Sequence, residues 1–110
     1  MTIYVDQAFI PADVPNGRRV VSSRWCHLMS DQIDPTELHE FAERIGLRRS
    51  WFQRGKRLGR PGEHDPAGDH YDVTEGKRRA AVAAGAVEID RDGLVALMRS
   101  RRDLVRASRP

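Results

Sequence analysis

His70-Tyr71-Asp72-Val73-Thr74-Glu75-Gly76-Lys77-Arg78-Arg79-Ala80-Ala81-Val82-Ala83-Ala84-Gly85-Ala86-Val87-Glu88-Ile89 is the stretch whose reading decides the fold. Along an extended chain His70 and Asp72 share a face, with Tyr71 opposite. Thr74 then serves as an N-cap. The helix runs through Lys77 to Ala84, Gly85 terminates it, and Ala86-Val87-Glu88-Ile89 follows as a short strand.

Towards the N-terminus the same plan recurs. Asp34-Pro35 supplies a cap and a first-turn proline; Leu38, Phe41, Ala42 and Ile45 form a helical stripe; and Gly46 closes it. Before it, Met1 to Val5 reads as a strand. Ala8 to Gly17, with Pro11, Pro15 and Asn16-Gly17, carries turn chemistry that breaks any regular element. Arg19 to Met29 reads as a second extended segment, with a polar middle (Ser22, Ser23, Arg24) that could divide it in two. Towards the C-terminus, Asp90 or Asp92 caps a final helix bearing Leu94, Leu97, Met98 and Leu104-Val105. This alternation predicts a small single α/β domain over residues 1–110, with a short, mainly parallel sheet packed with about three helices.

At 110 residues the chain holds one core and one domain. It contains no apolar run of the roughly 20 residues that a membrane span needs, and no signal-peptide pattern. Its single cysteine, Cys26, lies in an apolar stretch and reads as a buried, reduced thiol, which together with the missing signal predicts a cytoplasmic protein.

The net charge of +3 is unevenly spread. Arg48 to Gly62 carries six basic residues and no acid. Its glycines and Pro61 predict a mobile, basic loop or insertion at about 54–68, long enough to suggest a function. Arg48, Arg49 and Trp51 are candidates for binding a phosphate-containing ligand, since clustered guanidinium groups attract phosphates and an aromatic ring can stack on a base. Against that, Trp51 and Phe52 could close the core while the charges stay solvated. On the final helix, Arg99, Arg101, Arg102 and Arg106 form a solvated face with polyanion contact behind it. His39 is expected at a surface or edge position, and His64 in solvent.

Polar residues at the mouths of the apolar runs are the candidates for chemistry: Asp6 after the first, His27 and Asp31 at the end of the second, and His70 and Asp72 before the helix. In an open α/β sheet, the carboxyl ends of the strands form the crevice where ligands bind. If these side chains converge they suit a divalent metal such as Mg²⁺, Mn²⁺ or Zn²⁺, or a metal-free proton-handling pocket, with Tyr71 contributing to ligand binding. Read structurally, Asp72 is a turn or capping acceptor, Asp31 a loop residue and His27 a hydrogen-bonded core histidine. The chain has no Walker loop, nucleophile elbow or His-Glu-x-x-His motif.

Taken in order, Ile3-Tyr4-Val5-Asp6, Trp25-x-His27-Leu28-x-Ser30-Asp31, Glu37-Leu38-His39-x-Phe41-Ala42, Ile45-Gly46-Leu47, Trp51-Phe52, His70-Tyr71-Asp72-Val73 and Ala81-Val82-x-x-Gly85-Ala86 resemble the bacterial and phage "domain of unknown function 4031" family. The resemblance implies a compact, stand-alone cytoplasmic protein and attaches no activity to it. It also marks 54–68 as an insertion and turns attention to the His and Asp edge. The expected function is binding of a nucleotide, nucleic acid or other phosphate-containing ligand there, with metal- or His-assisted phosphoester hydrolysis as the natural chemistry. The alternative is a non-enzymatic module that binds a host protein, marked by an exposed apolar patch at Trp51, Phe52 and Leu58.

Overall fold

The computed structural model describes residues 1–57 and 59–108. Along the chain come β1 (Ile3–Val5), β2 (Ile10–Asn16), β3 (Arg19–Ser30), α1 (Thr36–Arg44), β4 (Phe52–Gln53), β5 (His70–Val73), α2 (Glu75–Ala83), β6 (Val87–Glu88) and α3 (Arg91–Ala107). Single 3₁₀ turns at Arg49–Trp51 and Pro66–Gly68 precede β4 and β5. The strands form one sheet in the order β4-β5-β3-β1-β6, with β2 paired to β3 off this path.

That sheet is mostly antiparallel, which corrects the expectation of a mainly parallel one. β1 and β6 pair in parallel, whereas β1/β3, β2/β3, β3/β5 and β4/β5 are antiparallel. Two hairpins account for the difference. Gly17-Arg18, with Gly17 at φ +64°, joins β2 to β3, so the chain reverses with no helical crossover. β4 and β5 form the second hairpin, and its connection is the basic stretch 54–68. A strand entering after α1 would run parallel to β3; the hairpin turns β5 the other way.

The Ala8–Gly17 stretch, expected to be irregular, is therefore strand β2. It tolerates Pro11 and Pro15 because an edge strand has spare positions with no donor required. β3 is one unbroken strand whose first half pairs with β2 and whose second half lies between β1 and β5. Every residue of β2 is exposed, so this half of the hairpin projects as an arm.

Alternation along the strands assigns the faces. Ile3, Val5, Cys26, Leu28, Tyr71 and Val73 are buried on one face, under Leu38, Phe41, Ala42 and Ile45 of the α1 region and Ala81 of α2. The thiol of Cys26 lies in this core, 1% exposed, with its sulfur accepting the Phe9 N–H at 3.4 Å. Phe9 itself adopts φ +46°, an unusual conformation for a bulky residue, where the chain bends out of β1 towards β2.

Two helix caps follow the sequence, whereas α1 begins one residue later than expected, with Pro35 at its N-cap position and no side-chain cap there. Thr74 Oγ1 accepts Lys77 N–H, and Asp90 Oδ1 accepts Gly93 N–H. Asp34 Oδ1 accepts Thr36 N–H just ahead of α1, and Gly46 leaves that helix at φ +85°.

The 54–68 connection is tied down at its base. Asp65 N–H donates to Gly55 O at 2.9 Å, Lys56 bridges His64, and the buried Asp69 carboxylate accepts Gly55 N–H (2.9 Å) and faces His64 Nε2 at 2.7 Å. Gly55 is required at this crossing: a Cβ there would stand 2.1 Å from Asp65 O and 2.7 Å from Gly68 Cα. From the other side Arg101, 1% exposed, donates to Asp69 O (2.9 Å) and Pro66 O (2.8 Å), fastening α3 to the turn before β5.

Candidate functional site

Opposite the core face, β3 and β5 place His27 directly across from Asp72. His70 is two residues before Asp72 on the same strand and so on the same face. His70 Nε2 lies 3.1 Å from Asp72 Oδ1, and His27 Nε2 lies 4.0 Å from it. The two rings meet edge to face with centroids 5.0 Å apart. Ligand atoms from His27, His70 and Asp72 all fall within 4.8 Å of one another, and all three residues are partly exposed. The cluster sits on a sheet face, because a mostly antiparallel sheet has no common carboxyl edge.

Each imidazole is oriented from behind. Asp6 follows β1 and is 2% exposed, with Oδ2 at 2.6 Å from His27 Nδ1 and Oδ1 accepting the His27 backbone N–H at 2.7 Å. Asp6 O accepts from Arg78 Nε at 3.0 Å. The Asp6 carboxylate therefore takes the ladder bond with His27 N–H, so side chain and strand register are fixed together. His70 Nδ1 lies 2.7 Å from Gly68 O. A carboxylate and a carbonyl only accept, so both Nδ1 atoms carry hydrogen and donate. With each Nδ1 so engaged, Nε2 is the nitrogen presented to Asp72: His70 Nε2 stands at hydrogen-bond distance from that carboxylate and His27 Nε2 at 4.0 Å.

The electrostatics agree with an ionised pair of carboxylates. Burial pushes the Asp6 carboxyl up, but hydrogen bonds from the His27 side chain, the His27 backbone and Ala8 N–H, with the His27 charge, hold it below the ordinary value. Asp72 is lowered chiefly by its hydrogen bond with His70, against burial. The hydrogen bond to Asp6 raises His27, burial opposes it, and the charges of Asp6 and Asp72 add to the rise.

Of the residues singled out in the sequence, Asp6, His27, His70 and Asp72 come together. Asp31 stands apart: its Oδ1 accepts Thr2 N–H, at the other end of β1 from Asp6. Those two ends are about 13 Å apart along the strand. Tyr71 is fully buried on the core face, with Oη 2.6 Å from His39 Nδ1. Trp51 is half-buried against the core under the Arg48 guanidinium, and Arg49 lends its charge to the surroundings of His39 and Tyr71. Arg48, Arg49 and Trp51 therefore belong to the α1 side of the sheet, opposite the cluster.

His39, expected near the surface, is 5% exposed and edge-on to Phe52. His64 is exposed, as expected, while its Nε2 faces the buried Asp69. Trp51 and Phe52 are half-buried, and Leu58, the third member of the expected apolar patch, lies outside the described residues. No helix among the described residues is long and apolar enough to cross a membrane. The sequence reading missed Gly68 O, whose position depends on the 3₁₀ turn, and Asp69, whose only signal was its place beside His70.

No curated protein and no solved structure matches the chain. The motifs that build this sheet face fall within residues 3–101, and over that span the chain belongs to the family described as "Protein of unknown function (DUF4031)".

Proposed function

We propose that this protein is a metal-dependent phosphoesterase in which His27 Nε2, His70 Nε2 and the Asp72 carboxylate bind one divalent transition metal. The carrying observation is the orientation of both histidines: each Nδ1 is engaged by an acceptor, so each Nε2 is turned towards Asp72, where a metal would replace the hydrogen that His70 Nε2 shares with the carboxylate. Outer partners of this kind fix the tautomer and ring angle of metal-bound histidines. Ligand atoms around zinc lie roughly 3.3 Å apart for bonds near 2.0–2.1 Å, so the cluster needs only a small closure at His27.

Three protein ligands leave coordination positions for water and substrate. A metal held there would lower the pKa of that water towards about 7 and polarise a phosphoryl oxygen. In this scheme both histidines would hold the metal and Asp6 positions His27, so neither imidazole is left to act as a general base. The basic residues of the connection (Arg54, Lys56, Arg57 and Arg60), whose hairpin ends at Gly68 beside His70, favour a phosphate-containing substrate.

The test is metal titration of chelator-stripped protein, followed by assay on bis(p-nitrophenyl) phosphate. One Zn²⁺ or Mn²⁺ per chain, lost in His70→Ala and Asp72→Asn with unchanged thermal midpoints, and hydrolysis that tracks the metal, is the expected result. Absence of stoichiometric binding across Mn²⁺, Co²⁺, Ni²⁺ and Zn²⁺ would sink the proposal.

A further inference from the structure

A cavity of about 110 Å³ opens between the 54–68 connection and the last turns of α3, lined by Arg57, His64, Asp65, Arg102, Val105 and Arg106. Arg102 and Arg106 are one turn apart, so their side chains leave the helix on the same side. Neither forms a hydrogen bond or ion pair among the described residues. Arg57 gives one Nη1 donor to Glu63 at 2.7 Å and keeps the rest of its fork. Asp65 is the single acid in the lining, and its Oδ1 is occupied by Ala67 N–H. Three guanidinium groups thus face one carboxylate around one small space, an arrangement that a compact anion relieves.

We infer that this cavity is a subsite for a phosphate group, held by Arg57, Arg102 and Arg106. The space is worth only a few water molecules, which suits a tetrahedral oxyanion. Guanidinium forks match phosphate oxygens two at a time. The subsite also shares its support with the His and Asp cluster. His64 leans on Asp69, the residue before His70, and Arg101, the neighbour of Arg102, donates to Asp69 O and Pro66 O. Phosphate binding here stands by itself; its role as a second anchor for a phosphoester rests on the metal site proposed above.

The experiment follows the Arg Nε–H resonances of the full chain in chelator while inorganic phosphate is added, with chloride at equal ionic strength as control. Saturable shifts at Arg57, Arg102 and Arg106 are expected, weakened about tenfold in the Arg102→Gln/Arg106→Gln variant, the equivalent of one charge-assisted hydrogen bond. Both side chains are exposed, so the variant keeps the parent's thermal midpoint. Shifts that never saturate, or that keep the parent's affinity at Arg57 in the variant, overturn the subsite. Short oligonucleotides with and without a 5′-phosphate then identify the source: preference for the phosphorylated strand assigns a terminal phosphate, and equal binding an internal phosphodiester. Metal binding without a phosphate response rejects this subsite alone, whereas a phosphate response without metal binding rejects the metal site and the anchoring role.

Discussion

Asp6 shows how one carboxylate does two jobs. It holds the His27 imidazole and, by accepting the His27 backbone N–H, replaces a strand-to-strand bond. Asp6→Asn should keep the backbone bond through its carbonyl oxygen while its amide group faces Nδ1 with the wrong polarity. The expected outcome is a 10–100-fold loss of metal affinity, measured by competition with a chelator, with the fold retained. His70 and Asp72 were legible as a pair because strand spacing alone puts them on one face; Asp6 and His27 meet them only through the β1/β3 and β3/β5 registers. Asp31 was not, because its distance from Asp6 depends on the β1/β3 register, in which Ile3 faces Ser30 and Val5 faces Leu28. His39 had a readable signal: it precedes Ala42 by three on the helix and so borders the apolar stripe.

At the scale of elements, the helices were readable and the strand directions were not. Thr74, Asp90, Gly46 and Gly85 act locally, so sequence fixes their effect within a few residues. Direction depends on how many reversals separate two strands. The 54–68 stretch, read as an insertion, supplies the reversal that sets β5 antiparallel to β3. Its anchor is Arg101, a buried cation held by two carbonyl oxygens, with an Nε that has no partner among the described residues. Burial lowers its pKa, against the pull of Asp69, Asp65 and Asp31. Arg101→Met should destabilise the fold by about 2–4 kcal/mol, because two carbonyls lose charged donors while an apolar chain still fills part of the space. Urea denaturation checks this. A neutral or stabilising result would mean that desolvation of the guanidinium outweighs its hydrogen bonds.

The whole molecule measures 44 × 31 × 25 Å, elongated for its length, in keeping with the projecting β2/β3 arm. Its response to pH combines opposing histidines. Burial, then the Arg49 charge, lowers His39, so the folded state binds fewer protons there than the unfolded chain. Stability from that residue is lost as pH falls through the unfolded value of about 6.5. His27 is raised, so its contribution is full below about 6.5 and disappears as pH rises through the folded value. His39→Gln removes the first effect and keeps the second. The variant, weakened by loss of the Tyr71 contact, should therefore approach wild-type stability as pH drops from about 7.5 to about 5.5. A deficit that stays constant between two denaturation curves at those pH values would place the linkage elsewhere.

Cys26 makes the molecule its own stopwatch. That sulfur is 1% exposed, so a thiol reagent reaches it only after the core around it opens, and the labelling rate times that opening with no introduced probe. His27 is the next residue along the strand, so a metal bound there should slow the clock, and Asp6→Asn should let it run faster.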